Sequence, residues 1–170
     1  MKILITGGCG YVGTVLTEKL LRKGMNVTVV DTQWFGNYLT EHKNLLNIKE
    51  DIRNIDSDFL KSFNVVIHLA NIANDPSVDL NPTLSWEVNV LAMHQLADSS
   101  VRAGVNQFIY ASSGSVYGIK EEPNVTEDLT LVPISVYNKT KMVAERVLLS
   151  YKNEMSVHCI RPATVCGWSP

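Results

Sequence analysis

The sequence predicts an α/β fold in which a doubly wound parallel sheet is covered by helices on both faces, giving three layers. Short apolar segments rich in β-branched residues alternate with segments of helical periodicity along the chain. The apolar segments are continuous, which is typical of strands that are buried on both faces. A glycine-rich turn joins the first apolar segment to the first helical one, as in sheets that bind ligands beyond the carboxyl ends of their strands.

The composition is that of one globular domain. The chain has 170 residues, of which 45% are hydrophobic and 19% charged, with a net charge of −2. This charge argues against a nucleic-acid or anionic-membrane surface, and no apolar run is long enough to cross a bilayer. The start "MKILITGG" indicates a first strand and not a signal peptide. The three cysteines, Cys9, Cys159 and Cys166, lack metal-ligand spacing, so we predict reduced thiols, no metal and a cytoplasmic protein.

Six strands and three long helices are predicted in alternation. The strands are "KILIT", "NVTVVD", "LNIKED", "NVVIHLA", "QFIYASS" and "SVHCIRP". The helices span residues 11–22, 82–103 and 136–152. The buried faces of the first two helices are predicted from their apolar residues: Val12, Val15, Leu16 and Leu20 on the first, and Leu91, Leu96 and Val101 on the second.

Small and polar residues follow the predicted strands. They are Gly7, Asp31, Asp51, Ala70, Ser113 and Pro162. Because the carboxyl ends of parallel strands meet at one edge of the sheet, we expect these residues to line a common ligand site.

The turn "TGGCGYVG" has the glycine spacing of a dinucleotide-binding loop, with Gly7, Gly10 and Gly13 between a strand and a helix. Glycine lets the backbone approach a pyrophosphate, and the helix start offers free N–H groups. The glycines alone would also suit a plain turn. A plain turn does not explain the acid Asp31 at the end of the second strand, which is the position where dinucleotide-binding folds carry a carboxylate that accepts hydrogen bonds from a ribose. That carboxylate repels a 2′-phosphate, so NAD is predicted over NADP, and Arg53 is the basic residue that could oppose this preference.

The segment "DTQWFGNYL" after the second strand is unusually aromatic. Two interpretations of Trp34 and Phe35 stay open, since they could flank an adenine ring or form a small loop core. His68 ends a buried strand, and we expect it to be structural.

The segment "SVYNKTKMVAERVLL" places Tyr137 and Lys141 four residues apart on one helix face. A free phenol has a pKa near ~10, and a neighbouring ammonium lowers that value. A hydroxyl could come from Ser112, Ser113 or Ser115 of "ASSGSVYG". The pair alone would suit a half-buried tyrosine and a solvated lysine, but the glycine loop and the serine-rich strand end favour proton transfer.

In combination, "TGGCGYVG", "DIR", "HLA", "SSGSVYG", "YNKTK" and "RPATVCG" resemble the extended short-chain dehydrogenase/reductases of the nucleotide-sugar epimerase and dehydratase family, which have a Rossmann-like fold. The resemblance runs from the first residues to the last. It implies Ser113, Tyr137 and Lys141 as the catalytic set. It also implies NAD contacts at Gly7, Gly10, Tyr11, Val12, Gly13, Asp31, Thr32, Asp51, Ile52, Leu69, Ala70, Asn89, Ser112, Tyr137, Lys141 and Pro162.

The resemblance further implies that Tyr137 takes a proton from a sugar hydroxyl while hydride passes to NAD, and that an epimerase returns the hydride to the other face. Family dehydratases carry Asp-Glu where this chain has Gly114 and Ser115, which disfavours dehydration. The expected partner is a nucleotide-sugar, and a homodimer is the oligomer considered.

Members of the family generally continue past "RPATVCG" into a smaller lobe that binds the nucleotide-sugar. We therefore expect residues 1–170 to form the NAD-binding domain without most of that lobe, with exposed apolar surface near residues 160–170. NAD binding with little sugar turnover is expected. Two alternatives to an epimerase stay open: a non-catalytic NAD-binding module or fragment, and an NAD-dependent sugar or alcohol dehydrogenase.

Overall fold

A computed structural model describes all residues, 1–170, and contains one parallel sheet of six strands in the order β3-β2-β1-β4-β5-β6. The strands are β1 (Lys2–Thr6), β2 (Asn26–Asp31), β3 (Leu45–Lys49), β4 (Val65–His68), β5 (Gln107–Ala111) and β6 (Ser156–Ile160). The chain winds outward from β1 first in one direction and then in the other, which confirms the predicted doubly wound topology.

The helices cover both faces of this sheet. They are α1 (Tyr11–Arg22), α2 (Ser57–Leu60), α3 (Asp75–Leu80), α4 (Pro82–Trp86), α5 (Met93–Ala103) and α6 (Val136–Leu149), with a π-helical segment, Glu87–Ala92, that joins α4 to α5. Two 3₁₀ turns, Ile52–Asn54 and Gly114–Tyr117, follow β3 and β5. No helix is both long enough and apolar enough to cross a membrane.

The strands are continuously apolar because each one contributes to two cores. In β1, Leu4 packs into the core beneath α5 and α6, while Ile3 and Ile5 belong to the core beneath α1. Alternate side chains of a strand point to opposite faces. In a strand that is covered on both faces, both sets of side chains are buried, so the strand is apolar throughout. The three-layer prediction is confirmed.

The predicted buried face of α1 is only partly correct, since Leu16 and Leu20 pack against the core but Val12 does not. Its buried residues are Gly13, Thr14, Thr17 and Leu21, whereas Val12 is 44% exposed. The helix approaches the glycine loop so closely that a Cβ at Gly13 would lie 2.4 Å from the carbonyl oxygen of Gly7. Small residues therefore occupy the side nearest the sheet, and Leu16 and Leu20 are only partly buried.

The long helix over residues 82–103 forms as predicted, but its central turn is π-helical. Leu91 was expected to point inward and is 63% exposed, while Leu96 is buried as expected. Val101 is partly buried against the core beneath α5 and α6. A π turn holds more residues than an α turn, so the apolar periodicity counted from α5 does not extend back through residues 87–92.

Candidate active site

The glycine loop lies between β1 and α1 and leaves no room for side chains at two positions. Gly7 has a φ of +74°, and a Cβ there would lie 2.5 Å from the backbone nitrogen of Ala70. Gly13 is blocked by the carbonyl of Gly7, as described above. Gly10 is different, because its Cβ would meet only the Gly7 oxygen at 3.4 Å. Two of the predicted glycines are therefore required by close backbone packing, and Gly10 leaves the loop surface open.

The first turn of α1 is open to an anion. Gly10 is the N-cap residue, and no side chain accepts a hydrogen bond from this end of the helix. The N–H groups of Tyr11, Val12 and Gly13 thus have the uncapped arrangement that suits a pyrophosphate. The Tyr11 hydroxyl donates to the carbonyl of Gly167 at 2.5 Å, and Ser169 donates to the Tyr11 carbonyl at 2.8 Å, so the C-terminal segment lies beside this turn.

Asp31 ends β2 next to the glycine loop, as predicted. Its carboxylate accepts a hydrogen bond from the Cys9 backbone N–H at 3.0 Å and another from the Gln33 N–H at 2.7 Å. These bonds hold the carboxylate in one orientation and leave each oxygen a further lone pair for a ribose hydroxyl. Burial and the Asp31 charge raise the pKa of the Cys9 thiol to about 11, so the thiol is protonated and unreactive at neutral pH.

Asp51 and Arg53 pair with each other. The Arg53 guanidinium contacts the Asp51 carboxylate at 2.8 Å and lies 3.8 Å from Glu87. The hydrogen bond from Arg53 holds the pKa of Asp51 below its ordinary value. Because Arg53 faces two acids, its charge is already partnered and does not favour a 2′-phosphate.

The aromatic loop after Asp31 does not form a small core. Trp34 is 61% exposed and Phe35 is 85% exposed, so the loop-core interpretation is wrong. A cavity of about 820 Å³ lies between this loop and β3, and Gln33 and Asn47 are among its lining residues. It adjoins the Asp31 end of the site and is distant in sequence from Ser113 and Tyr137.

The remaining predicted cofactor contacts lie around the same sheet edge. Thr32, Leu69, Ala70 and Pro162 are partly buried, while Ile52 and Ser112 are buried at 5% exposure. The Ile52 side chain packs into the core, so only its backbone is available to a ligand. The Ser112 hydroxyl is buried without a hydrogen-bond partner.

Asn89 lies in the π-helical segment, and its side chain forms hydrogen bonds to Ile72 and Thr140. Its side-chain oxygen accepts from the Ile72 N–H at 2.8 Å, and its amide group donates to the Ile72 carbonyl at 3.1 Å and to Thr140 at 3.2 Å. The side chain is fully buried. Its polar atoms are engaged within the protein, so Asn89 fixes the loop after β4 to α6, and the cofactor contact implied by the resemblance remains a prediction.

Lys141 is almost completely buried at 3% exposure, and its Nζ donates to the carbonyl oxygen of Ala111 at 2.7 Å. The ammonium also lies 5.0 Å from the ring centre of Tyr110 and 5.7 Å from that of Tyr137. Burial lowers the pKa of Lys141 to about 7, an effect that the Glu145 carboxylate partly offsets. The alternative of a solvated lysine is therefore wrong.

Tyr137 lies one turn before Lys141 on the same face of α6. Burial, followed by the charge of Asp75, raises the pKa of its phenol above the ordinary value. The expected lowering by Lys141 is not found, because burial also favours the neutral amine and the Lys141 Nζ is directed at the Ala111 carbonyl.

Ser113 caps the 3₁₀ turn that follows β5. Its Oγ lies 2.7 Å from the Ser115 Oγ and accepts from the Ser115 N–H at 3.2 Å. The Ser115 hydroxyl in turn contacts the Asn138 Oδ1 at 2.6 Å. The turn is held to β6 because the Gly114 N–H donates to the Pro162 carbonyl at 2.8 Å.

Comparisons against known proteins identify the family of the chain. A sequence profile described as NAD dependent epimerase/dehydratase family matches residues 3–169. The chain belongs to this family. A UDP-glucose 4-epimerase of Corynebacterium glutamicum is 31% identical over 153 residues, which is 89% of this chain and 46% of the relative. The predicted resemblance is confirmed.

Solved structures of the family superpose closely. MoeE5 in complex with UDP-glucuronic acid and NAD gives a TM-score of 0.85 at 32% identity, with 95% of this chain and 54% of that one covered. The UDP-glucose 4-epimerase of Thermus thermophilus in complex with NAD gives 0.84 at 27% identity, with 95% and 54% covered. The chain thus spans about half the length of the relatives that it matches.

Sequence reasoning missed a buried ion pair that joins α6 to the residue after β6. Glu145 is fully buried, and the Arg161 guanidinium binds its carboxylate through three contacts of 2.7–3.1 Å. Arg161 also donates to the Tyr117 hydroxyl at 2.8 Å. The sequence carried a signal for Glu145, because Tyr137, Lys141 and Glu145 are spaced four residues apart and therefore lie on one face of α6.

Proposed function

We propose that this chain binds NAD at the carboxyl edge of its sheet and uses Ser113, Tyr137 and Lys141 to transfer a proton and a hydride at a carbinol carbon of a nucleotide-sugar, as an epimerase does. The observation that carries the proposal is the position of Lys141. Its buried amine is fixed to the end of β5 by the Ala111 carbonyl at 2.7 Å, one helical turn from Tyr137. Burying an amine at this point is costly to the fold, and a buried ionisable group of this kind is typical of functional sites.

The residues of the cofactor half fit NAD. Gly7 and Gly13 have backbone neighbours at 2.5 Å or less from where a Cβ would stand, and the first turn of α1 offers uncapped N–H groups to a pyrophosphate. Asp31, held by two backbone N–H groups, would accept hydrogen bonds from the adenosine ribose. When bound, NAD supplies a positively charged nicotinamide ring that accepts hydride.

The charges around Tyr137 define its part in the mechanism. In the chain itself the pKa of the phenol is raised, so Tyr137 holds its proton at neutral pH and can donate it to a sugar oxygen. To act as a base, the phenol needs positive charge close by, which the protonated Lys141 and the nicotinamide ring would supply. Asp75 opposes this change, so the phenolate forms only when the site is filled.

The nearby residues favour epimerisation over dehydration. Eliminating water from a sugar requires an acid and a base beside the reacting carbons, and Gly114 and Ser115 stand where family dehydratases carry acids. The relatives named above act on or bind UDP-sugars, which supports a UDP-sugar substrate. The homodimer and the cytoplasmic location stay predictions from the sequence.

The test is conversion of UDP-galactose to UDP-glucose by the chain with NAD, followed by NMR, beside Tyr137→Phe. Conversion that is lost in Tyr137→Phe, while NAD binding is kept, supports the proposal. Because little turnover is expected of residues 1–170, the same assay is run on the chain extended by the C-terminal half of a relative. NAD binding without turnover in both forms would instead support a non-catalytic NAD-binding module. Net accumulation of NADH would identify a dehydrogenase.

A further inference from the structure

The segment that follows β6 crosses the carboxyl edge of the sheet and is tied to the start of α1. We propose that residues 163–170, called the strap below, are a gate for NAD. The strap must leave Tyr11 before the cofactor enters or departs, and it closes over the bound cofactor. This inference rests on the proposed function, because it needs NAD at the carboxyl edge, and it adds a step that controls how fast the cofactor exchanges.

One end of the strap is fixed beside the turn that follows β5. The Pro162 carbonyl accepts a hydrogen bond from the Gly114 N–H at 2.8 Å. One residue earlier, the Arg161 guanidinium binds the fully buried Glu145 carboxylate at 2.7 Å. These contacts join the chain to the turn after β5 and to α6, so the strap begins at a fixed point.

The other end of the strap is held at the first turn of α1. The Tyr11 hydroxyl donates to the Gly167 carbonyl at 2.5 Å, and the Ser169 hydroxyl donates to the Tyr11 carbonyl at 2.8 Å. Both contacts are exposed. Water therefore competes for each of them, and this end of the strap opens at a low cost in free energy.

The middle of the strap has no support of its own. Residues 163–166 are exposed and form no hydrogen bonds within the protein, and Trp168 is 85% exposed. Segments with few contacts open locally without unfolding the rest of the domain. The strap can therefore swing away from α1 about its attachment at Pro162 while the sheet stays intact.

The strap spans the part of the edge where the cofactor is proposed to bind. In the sheet, β4 lies between β1 and β5, so a segment that runs from the end of β5 to the start of α1 passes over the end of β4. NAD would extend along the same path, with its pyrophosphate at the first turn of α1 and its nicotinamide toward Ser113 and Tyr137. It would lie beneath the strap, and it cannot reach this position while both ends are attached.

A gate of this kind changes the rates of cofactor exchange and leaves the affinity unchanged. The two hydrogen bonds with Tyr11 belong to the closed strap whether or not NAD is present, so they slow entry and departure by the same factor. A direct cofactor contact behaves differently. It is made only in the complex, so its loss raises the dissociation rate and leaves the association rate nearly constant.

Stopped-flow fluorescence with NADH measures both rates on the chain itself, and excess NAD displaces NADH in the dissociation arm. Tyr11→Phe removes one donor of the tie and keeps the ring and the backbone N–H, while Ser169→Ala removes the other donor. Each variant should raise the association and dissociation rate constants by about fivefold, with Kd unchanged within about twofold. Tyr151→Phe, which removes a hydroxyl beyond the end of α6, is the matched control and should change neither rate.

Proteolysis detects the movement of the strap without any cofactor. Thermolysin cleaves before apolar residues such as Val165, and it needs a longer extended segment than the closed strap offers, so cleavage at this point reports the open strap. Cleavage should be about fivefold faster in Tyr11→Phe than in the parent, and saturating NAD should slow it in both. Equal cleavage of the parent and the variant would show that Tyr11 does not hold the strap and would contradict the inference.

The two proposals can fail separately. If the parent and both variants all fail to bind NAD and NADH, the proposed function is contradicted and the gate with it. If the parent binds NADH and the association rate is the same in Tyr11→Phe and Ser169→Ala, the gate alone is contradicted, even where the dissociation rate rises. Binding by Tyr11→Phe where the parent binds none would support a gate that the two hydrogen bonds keep shut.

Discussion

Replacing Lys141 by methionine should stabilise this protein at neutral pH. The amine is 3% exposed, and burial lowers its pKa from 10.5 to about 7. In the unfolded chain the lysine keeps its ordinary pKa, so the unfolded state binds the proton more tightly. Between pH 7 and 10.5 the folded state loses this proton first, and stability rises with pH across that interval.

The magnitude follows from the shift. Each unit of pKa corresponds to about 1.4 kcal/mol, so the buried lysine costs the fold about 4 kcal/mol at pH 7 and about 2 kcal/mol at pH 9. Methionine fills a similar volume without a charge, but it leaves the Ala111 carbonyl without its donor, which costs about 2 kcal/mol. The net expectation for Lys141→Met is a gain of about 2 kcal/mol at pH 7 that falls to about zero at pH 9.

Urea unfolding followed by circular dichroism between pH 6 and pH 9 measures this difference. Lys139→Met is the matched control, because it removes an exposed lysine from the same helix and should show no such pH dependence. A Lys141→Met variant that is less stable than the parent at pH 7, or a difference that is constant with pH, would refute the reasoning. The expected gain, combined with loss of turnover, would identify Lys141 as a residue that this fold buries for function.

Three further predictions concern packing around the site. Gly13→Ala forces a Cβ to 2.4 Å from a carbonyl oxygen and should abolish NAD binding in calorimetry, while Gly10→Ala, with its nearest atom at 3.4 Å, should retain it; equal affinities would contradict the loop argument. Arg161→Met leaves the fully buried Glu145 without a partner and should cost about 3 kcal/mol in urea unfolding, and a cost within error of zero would show that the pair is dispensable. Asn89→Ala breaks three buried hydrogen bonds and should cost about 2 kcal/mol with little change in NAD affinity, whereas a selective loss of NAD affinity would make Asn89 a cofactor contact.

The sheet could be predicted from the sequence because burial on both faces produces a signal that is entirely local. Strands such as "KILIT" need apolar residues at every position. The faces of the helices were harder, since they depend on distances between elements. Val12 is exposed because α1 approaches the sheet through Gly13 and Thr17, and Leu91 is exposed because residues 87–92 are π-helical. The spacing of apolar residues along the chain reveals neither the close approach of α1 to the sheet nor the π turn.

The same distinction holds for the site. Tyr137, Lys141 and Ser113 were found through motif spacing, which is a property of sequence. The raised pKa of Tyr137 depends on burial and on Asp75, which is brought there by the loop after β4. The contact of Ser115 with Asn138 joins residues 23 positions apart, and its hydrogen-bond direction requires a distance that only a structure provides.

A calorimetric titration of the chain with NAD and with NADP, beside Asp31→Ala, tests most directly whether the carboxyl edge of the sheet is an NAD site. The account predicts that NAD binds more tightly than NADP. It also predicts that Asp31→Ala lowers the affinity for NAD by about tenfold and reduces the difference in affinity between NAD and NADP. Equal or tighter binding of NADP by the parent chain, or unchanged NAD affinity in Asp31→Ala, would contradict it.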